Sequence, residues 1–169
     1  MAVEFRCATA RGRGYARGLC ADADRLMRAA GLPDCELSLT LTSDRAMRRL
    51  NRDYRGIDAA TDVLSFSQIE QAGTVSNPLT VKNRPGLPLG DVVISIDTAI
   101  QQAREYRVSP ALRLRQLLIH GFLHLLGYDH ERSPAEARRM FARARALAAK
   151  LNGRVAAPRK AARRRVSAR

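Results

Sequence analysis

The sequence predicts an α+β domain in which one small, mixed β-sheet packs against helices. Segments that alternate apolar and polar residues, as strands do, occur in the first two thirds of the 169 residues, with helical patterns around them. The final third has helical periodicity only, and this order of elements indicates a mixed α+β domain. Residues 1–153 suffice for one domain with its own core, without disulfides as staples.

The first half of the chain divides into alternating strands and helices. We predict strands at 3–8 and 36–42 and helices at 15–30 and 44–54. Gly31 ends the first helix, while Ser43 caps the second and Gly56 ends it. In this second helix, Met47 and Leu50 face the core and four arginines face outward.

The second half begins with two strands that are separated by a long loop. The strands are predicted at 61–66 and 91–96, and the loop over 68–87 is rich in Gly and Pro. A helix is predicted at 97–107, and Ser109 with Pro110 starts the next one. Ser133 and Glu136 form a capping box before a last helix that runs to about residue 151.

Positive charge predicts a polyanionic partner. The formal net charge is +14, and half of it lies in residues 154–169, which carry six Arg, one Lys and no acid. We expect this tail to be disordered because it lacks apolar periodicity. Contact with RNA and simple solvation of the tail are equally good interpretations.

Cysteine usage and hydropathy predict a cytoplasmic protein. Cys7, Cys20 and Cys35 form no C-x-x-C pair and are interpreted as reduced thiols. No signal peptide is recognisable at the start, and the longest apolar stretch, 117–126, is far shorter than the ~18 residues of a membrane span. We therefore expect no membrane partner.

The chemistry concentrates in the segment IHGFLHLLGYDH, which contains all three histidines of the chain. His120 and His124 are four residues apart, so on a helix their imidazoles project from one face. Gly127 can end that helix and let the chain turn back to deliver His130. Three imidazoles with a fourth position left open predict one catalytic zinc ion, although nickel or copper suits similar donors. Three unrelated histidines would leave unpaired polar groups in an apolar helix.

The spacing H-x3-H-x2-G-x2-H also matches the metzincin proteases. Those enzymes need a glutamate directly after the first histidine as the general base, and this chain has Gly121 there. The metal site is therefore expected without peptidase activity.

This histidine block resembles the signature of the YbeY family of bacterial endoribonucleases. Other segments resemble that family's blocks in the same order, namely LN with YRG at 50–56, TDVLSF at 61–66 and LGDVVIS at 89–95. The resemblance covers about 36–151. Ser67 stands where the family usually has proline, and neither the loop over 68–87 nor the tail matches a family pattern.

The resemblance implies a zinc-dependent, single-strand-specific endoribonuclease in 3′-end maturation of small-subunit ribosomal RNA and in ribosome quality control. It assigns the metal to His120, His124 and His130 and a required role to Arg55. A guanidinium at that position is suited to bind the scissile phosphate and stabilise its charge. The alternative for Arg55 is an ordinary surface arginine at a helix end. The implied partners are ribosomal RNA and the small ribosomal subunit, with its proteins as further candidates.

Two other functions stay open: a ribosome-assembly factor with a structural metal, and a metal-dependent hydrolase of another substrate. The residues identify neither the general base nor the oligomeric state. Asp62, Asp91 and Asp129 are candidates for hydrogen bonds to the imidazoles, and each is equally interpretable as a cap or turn residue.

Overall fold

The computed structural model describes residues 3–69 and 85–152, and the fold is the predicted α+β type. The predicted tail, 154–169, and most of the predicted loop lie outside the described residues. The elements in chain order are β1 (Val3–Cys7), α1 (Arg13–Ala30), β2 (Glu36–Thr42), α2 (Asp44–Arg55), β3 (Val63–Ser67), β4 (Pro88–Ser95), α3 (Ile96–Glu105), α4 (Pro110–Leu125) and α5 (Pro134–Asn152).

The sheet is small and mixed, as the sequence predicts. Its strand order is β1-β2-β4-β3, in which β1 pairs with β2 and β2 with β4 in parallel, while β3 runs antiparallel to β4 at the edge. Side chains alternate between the two faces along each strand. In β3, Val63 and Ser65 therefore face one helical layer, whereas Leu64 and Phe66 face the other.

The two layers of helices differ in size. The large core lies between the sheet and α1, α4 and α5, where Leu39, Ile94 and Phe122 are fully buried. The smaller cluster lies under α2 on the opposite face and centres on Met47, which is also fully buried. None of the helices in the described ranges is long and apolar enough to cross a membrane.

The ends of β4 differ from the prediction. The strand begins at Pro88, where a missing N–H is tolerated because proline is its first residue. It ends at Ser95, whose hydroxyl accepts a hydrogen bond from the N–H of Thr98 at 3.3 Å and so makes Ile96 the first helical residue of α3. Gly90 has φ +132°, and a Cβ there would overlap the carbonyl oxygen of Phe66, so only glycine fits.

Candidate metal centre

Helix α4 and the turn after it position the three histidines. Ser109 caps the helix by accepting a hydrogen bond from the N–H of Leu112 at 3.1 Å, and Pro110 lies in its first turn, both as predicted. At the other end, Gly127 adopts φ +83°, and the N–H of Tyr128 donates to the carbonyl of Leu123 at 3.1 Å. This left-handed ending turns the chain back toward the helix, so His130 returns to the histidines of α4.

The three imidazoles converge in a geometry that can hold a metal ion. The Nε2 atoms of His120 and His124 are 3.1 Å apart. The ring centroid of His130 lies 5.1 Å from that of His120 and 5.3 Å from that of His124. One nitrogen from each ring lies within 4.8 Å of the others, and all three residues are partly buried.

Burial keeps the two helical imidazoles neutral. It lowers the pKa of His120 from 6.5 to about 4, with further lowering by His124 and His130 and opposition from the charge of Asp62. The pKa of His124 is also lowered, again mainly by burial and then by His130. Metal binding requires unprotonated nitrogen donors, so these rings are available as ligands at neutral pH.

The hydrogen bonding of His130 supports a metal at this point. Its Nδ1 atom is buried and has no hydrogen-bond partner among the described residues. A buried, unsatisfied nitrogen costs free energy unless a ligand occupies it. Three imidazoles are a donor set that zinc and neighbouring transition metals favour. The residues present therefore fit a metal ion.

The three candidate aspartates have other hydrogen-bond partners. Asp62 accepts from the N–H of Val63 at 2.8 Å and from the Nε2 of Gln102 at 3.1 Å. Asp91 accepts from a glutamine side chain at 3.1 Å, and Asp129 accepts from the N–H of Glu131 at 2.8 Å. Within the described ranges no hydrogen bond joins these carboxylates to an imidazole, so Asp129 acts as a turn residue.

Gly121 is the point of closest contact between α4 and the sheet. A Cβ at this position would lie 2.8 Å from Cγ1 of Val92, 2.9 Å from Oγ of Ser65 and 3.1 Å from Cγ2 of Val63. The Ser65 hydroxyl also donates to the carbonyl of Gly121 at 3.0 Å. Position 121 therefore faces the sheet at close range, and there is no room for a larger side chain there.

Arg55 lies in the other layer of the fold. It is the last residue of α2 and is exposed, and α2 packs on the sheet face opposite to α4. The adjacent Tyr54 packs edge-on against Phe66 of the edge strand, with ring centroids 5.0 Å apart. Tyr54, next to Arg55, thus contacts the same strand whose Ser65 contacts α4.

Two residues near the histidines were not singled out from the sequence. Arg113 forms an ion pair with Asp62 at 3.4 Å, and its charge contributes to lowering the pKa of His120. The ring centroid of Phe141 on α5 lies 6.1 Å from that of His130, and the Phe141 side chain is 46% exposed. Arg113 lies seven residues before His120 on the same helix face, a spacing that could have identified it. For Phe141, no spacing in the sequence indicated that it lies near the histidines.

Comparisons with known proteins identify the family. The profile of the family described as Endoribonuclease YbeY matches residues 19–152. An Endoribonuclease YbeY from Anaeromyxobacter sp. is 49% identical over 93% of this chain and 75% of its own length. One from Chloroflexus aggregans is 50% identical over 67% of this chain and 71% of its own. The solution structure of TM1509 from Thermotoga maritima shares the fold, with a TM-score of 0.60, 23% identity and 89% of each chain covered. The chain therefore belongs to the endoribonuclease YbeY family.

Proposed function

We propose that this protein is a zinc-dependent, single-strand-specific endoribonuclease of the cytoplasm that matures the 3′ end of small-subunit ribosomal RNA and serves ribosome quality control. Relatives that are about half identical to the chain are named endoribonucleases. The observation that carries the proposal is the convergence of three imidazoles, each of which offers one ring nitrogen within 4.8 Å of the other two.

His120, His124 and His130 would hold the zinc ion. When bound, zinc supplies a Lewis acid that acidifies water and polarises a phosphate oxygen. All three histidines are only partly buried, so an RNA strand can approach the site. A structural zinc site is closed by four protein ligands, so the three-histidine set in this partly open position favours catalysis over a purely structural metal.

Arg55 is proposed to bind the RNA phosphate on which the reaction takes place. Within the described ranges its guanidinium takes part in no ion pair, and a planar fork of N–H donors matches two phosphate oxygens. The adjacent Tyr54 packs against Phe66 of β3, the edge strand of the sheet. A strand of RNA that follows this edge can contact α2 on one side and the histidines on the other.

Peptide hydrolysis is disfavoured by the packing of Gly121. The metzincin general base follows the first histidine, and here that position points at Val92 and Ser65 in the sheet. A glutamate at this place would clash with these side chains and have no room. The geometry therefore supports phosphodiester chemistry better than peptidase chemistry.

Cleavage of matched substrates tests the proposal. The zinc-loaded protein is given one RNA as a single strand, the same RNA annealed to its complement, and a generic unfolded protein substrate. We expect cleavage of the single strand only, and its loss in His124→Ala. Cleavage of the protein substrate, or equal cleavage by wild type and His124→Ala, would contradict the proposal. Arg17→Gln, at an exposed arginine on α1, which carries no histidine, is the control for preparation and handling.

A further inference from the structure

An exposed aromatic ring borders the histidine cluster. Phe141 is tilted 38° from the ring of His130, and 46% of its side chain is exposed. The neighbouring Met140 fills the core position of this turn and is 1% exposed. The large apolar ring of Phe141 is thus presented to solvent directly beside a ligand of the proposed metal.

Phe141 lies between two exposed arginines on the same side of α5. Arg138 precedes it by three residues and Arg145 follows it by four, which places all three on one stripe of the helix. From 137 to 152 the helix carries four Arg and one Lys and no acidic residue. Within the described ranges, neither Arg138 nor Arg145 takes part in an ion pair. We call Arg138, Phe141 and Arg145 the α5 stripe.

We propose that the α5 stripe holds the single-stranded RNA next to the cleaved bond, with an unpaired base stacked on Phe141 and phosphates bound by Arg138 and Arg145. This inference rests on the proposed endoribonuclease function. Single-strand sites combine cations that follow the backbone with aromatic rings on which bases stack, regardless of sequence. The stripe has both features and spans about 10 Å, given a rise of about 1.5 Å per residue.

If Phe141 has only a structural role, the expected results differ from those of base stacking. If the ring only supports His130, its removal should weaken metal binding and leave the preference for bases unchanged. If the ring stacks a base, its removal should erase that preference and leave the metal in place. The decisive variable is therefore the base itself, which can be removed from the RNA without changing its charge.

The experiment measures binding by fluorescence anisotropy of two labelled oligomers, an oligouridine and an abasic ribose-phosphate chain of equal length. The full-length, zinc-loaded protein is expected to bind the oligouridine about tenfold more tightly, since stacking on one aromatic ring typically contributes about that factor. Phe141→Ala and Phe141→Leu should bind both oligomers equally, whereas Phe141→Trp should keep the preference. Zinc content should equal that of wild type in all three variants.

The arginines are tested by salt dependence. Replacing Arg138 and Arg145 together by glutamine should weaken binding of both oligomers alike and reduce the slope of log affinity against log salt by about 0.7 for each lost contact. Arg17→Gln is the matched control, because Arg17 is an exposed arginine on α1, which carries no histidine. For Arg17→Gln, the slope of log affinity against log salt should equal that of the wild type.

The outcomes separate this inference from the proposed function. A wild type that cleaves single-stranded RNA but binds both oligomers equally would overturn the stacking role and leave the nuclease intact. If the preference for the oligouridine survives in Phe141→Ala, or if that variant loses zinc, the stacking role is also overturned. Absence of binding to either oligomer would overturn the inference, and absence of cleavage with normal binding would contradict the proposed function alone.

Discussion

Replacing Gly121 by alanine perturbs the contact on which the placement of α4 against the sheet depends. The added Cβ would meet Val92, Ser65 and Val63 at 2.8, 2.9 and 3.1 Å. Val92 is fully buried in β4, and the hydroxyl of Ser65 is bound to the carbonyl of Gly121 itself. Neither neighbour can withdraw without losing packing or a hydrogen bond, so the helix has to shift.

The magnitude follows from three opposing terms. Overpacking a core position costs about 1–3 kcal/mol, and a lost hydrogen bond about 1 kcal/mol. Alanine regains about 1 kcal/mol over glycine inside a helix. The net expectation for Gly121→Ala is a destabilisation of about 1–3 kcal/mol, or a fall in Tm of about 2–12 °C for a chain of this size.

Urea unfolding of the chelator-treated protein measures this change without the contribution of metal binding. Gly18→Ala is the matched control, since a Cβ at Gly18 in α1 would meet no heavy atom within 4 Å, and this variant should gain up to about 1 kcal/mol from helix propensity. Equal stabilisation of both variants would refute the view that close packing requires Gly121, and with it the reason for excluding a protease base.

Three further predictions concern catalysis, the tail and pH. Arg55→Ala should reduce RNA cleavage about 100-fold while zinc content and Tm stay at wild-type values, and Arg55→Lys should restore only part of the cleavage rate. A wild-type rate in Arg55→Ala would show that the residue is not catalytic. Deleting 154–169 should weaken RNA binding and flatten its salt dependence without changing zinc content, whereas equal salt slopes would assign the tail no role. In the metal-free protein, the pKa of His120 is about 4 in the folded state, against 6.5 when the chain is unfolded. As the pH falls, His120 is therefore protonated in the unfolded state before it is protonated in the folded state. Stability should therefore be complete above pH 6.5 and fall as the pH decreases toward 4, with a smaller fall in His120→Gln.

Much of the fold follows from local sequence signals. Ser43, Ser109, Gly31, Gly56 and Gly127 mark helix ends in the sequence, and the structure places caps or left-handed residues at each of them. Strand β2 coincides with its predicted bounds, 36–42, because alternation over seven residues leaves little freedom in register. The α+β class and the mixed sheet were thus predictable.

The parts that could not be predicted depend on contacts between distant segments. The role of Gly121 as a packing residue requires β3 and β4, which no local pattern brings against α4. The early start of β4 is a consequence of pairing with β2 and β3, since Pro88 and Gly90 are poor strand residues in isolation. The proximity of Phe141 to His130 depends on how α5 folds back after the turn.

The candidate site was predictable to a different extent for each residue. His120, His124 and Gly127 are fixed by helix geometry, and His130 by the turn that follows, so the cluster within 4.8 Å was expected from spacing alone. The place of Arg55 on the far face of the sheet was not, because it depends on the sheet between α2 and α4. Its catalytic role stays a prediction.

Metal analysis combined with RNA cleavage tests the central claim most directly. The purified protein is assayed for zinc and for cleavage of a single-stranded RNA, then stripped with a chelator, and finally reloaded with one equivalent of zinc. We predict about one zinc per chain, loss of cleavage after stripping and recovery after reloading. Cleavage that persists after complete removal of the metal would contradict the account.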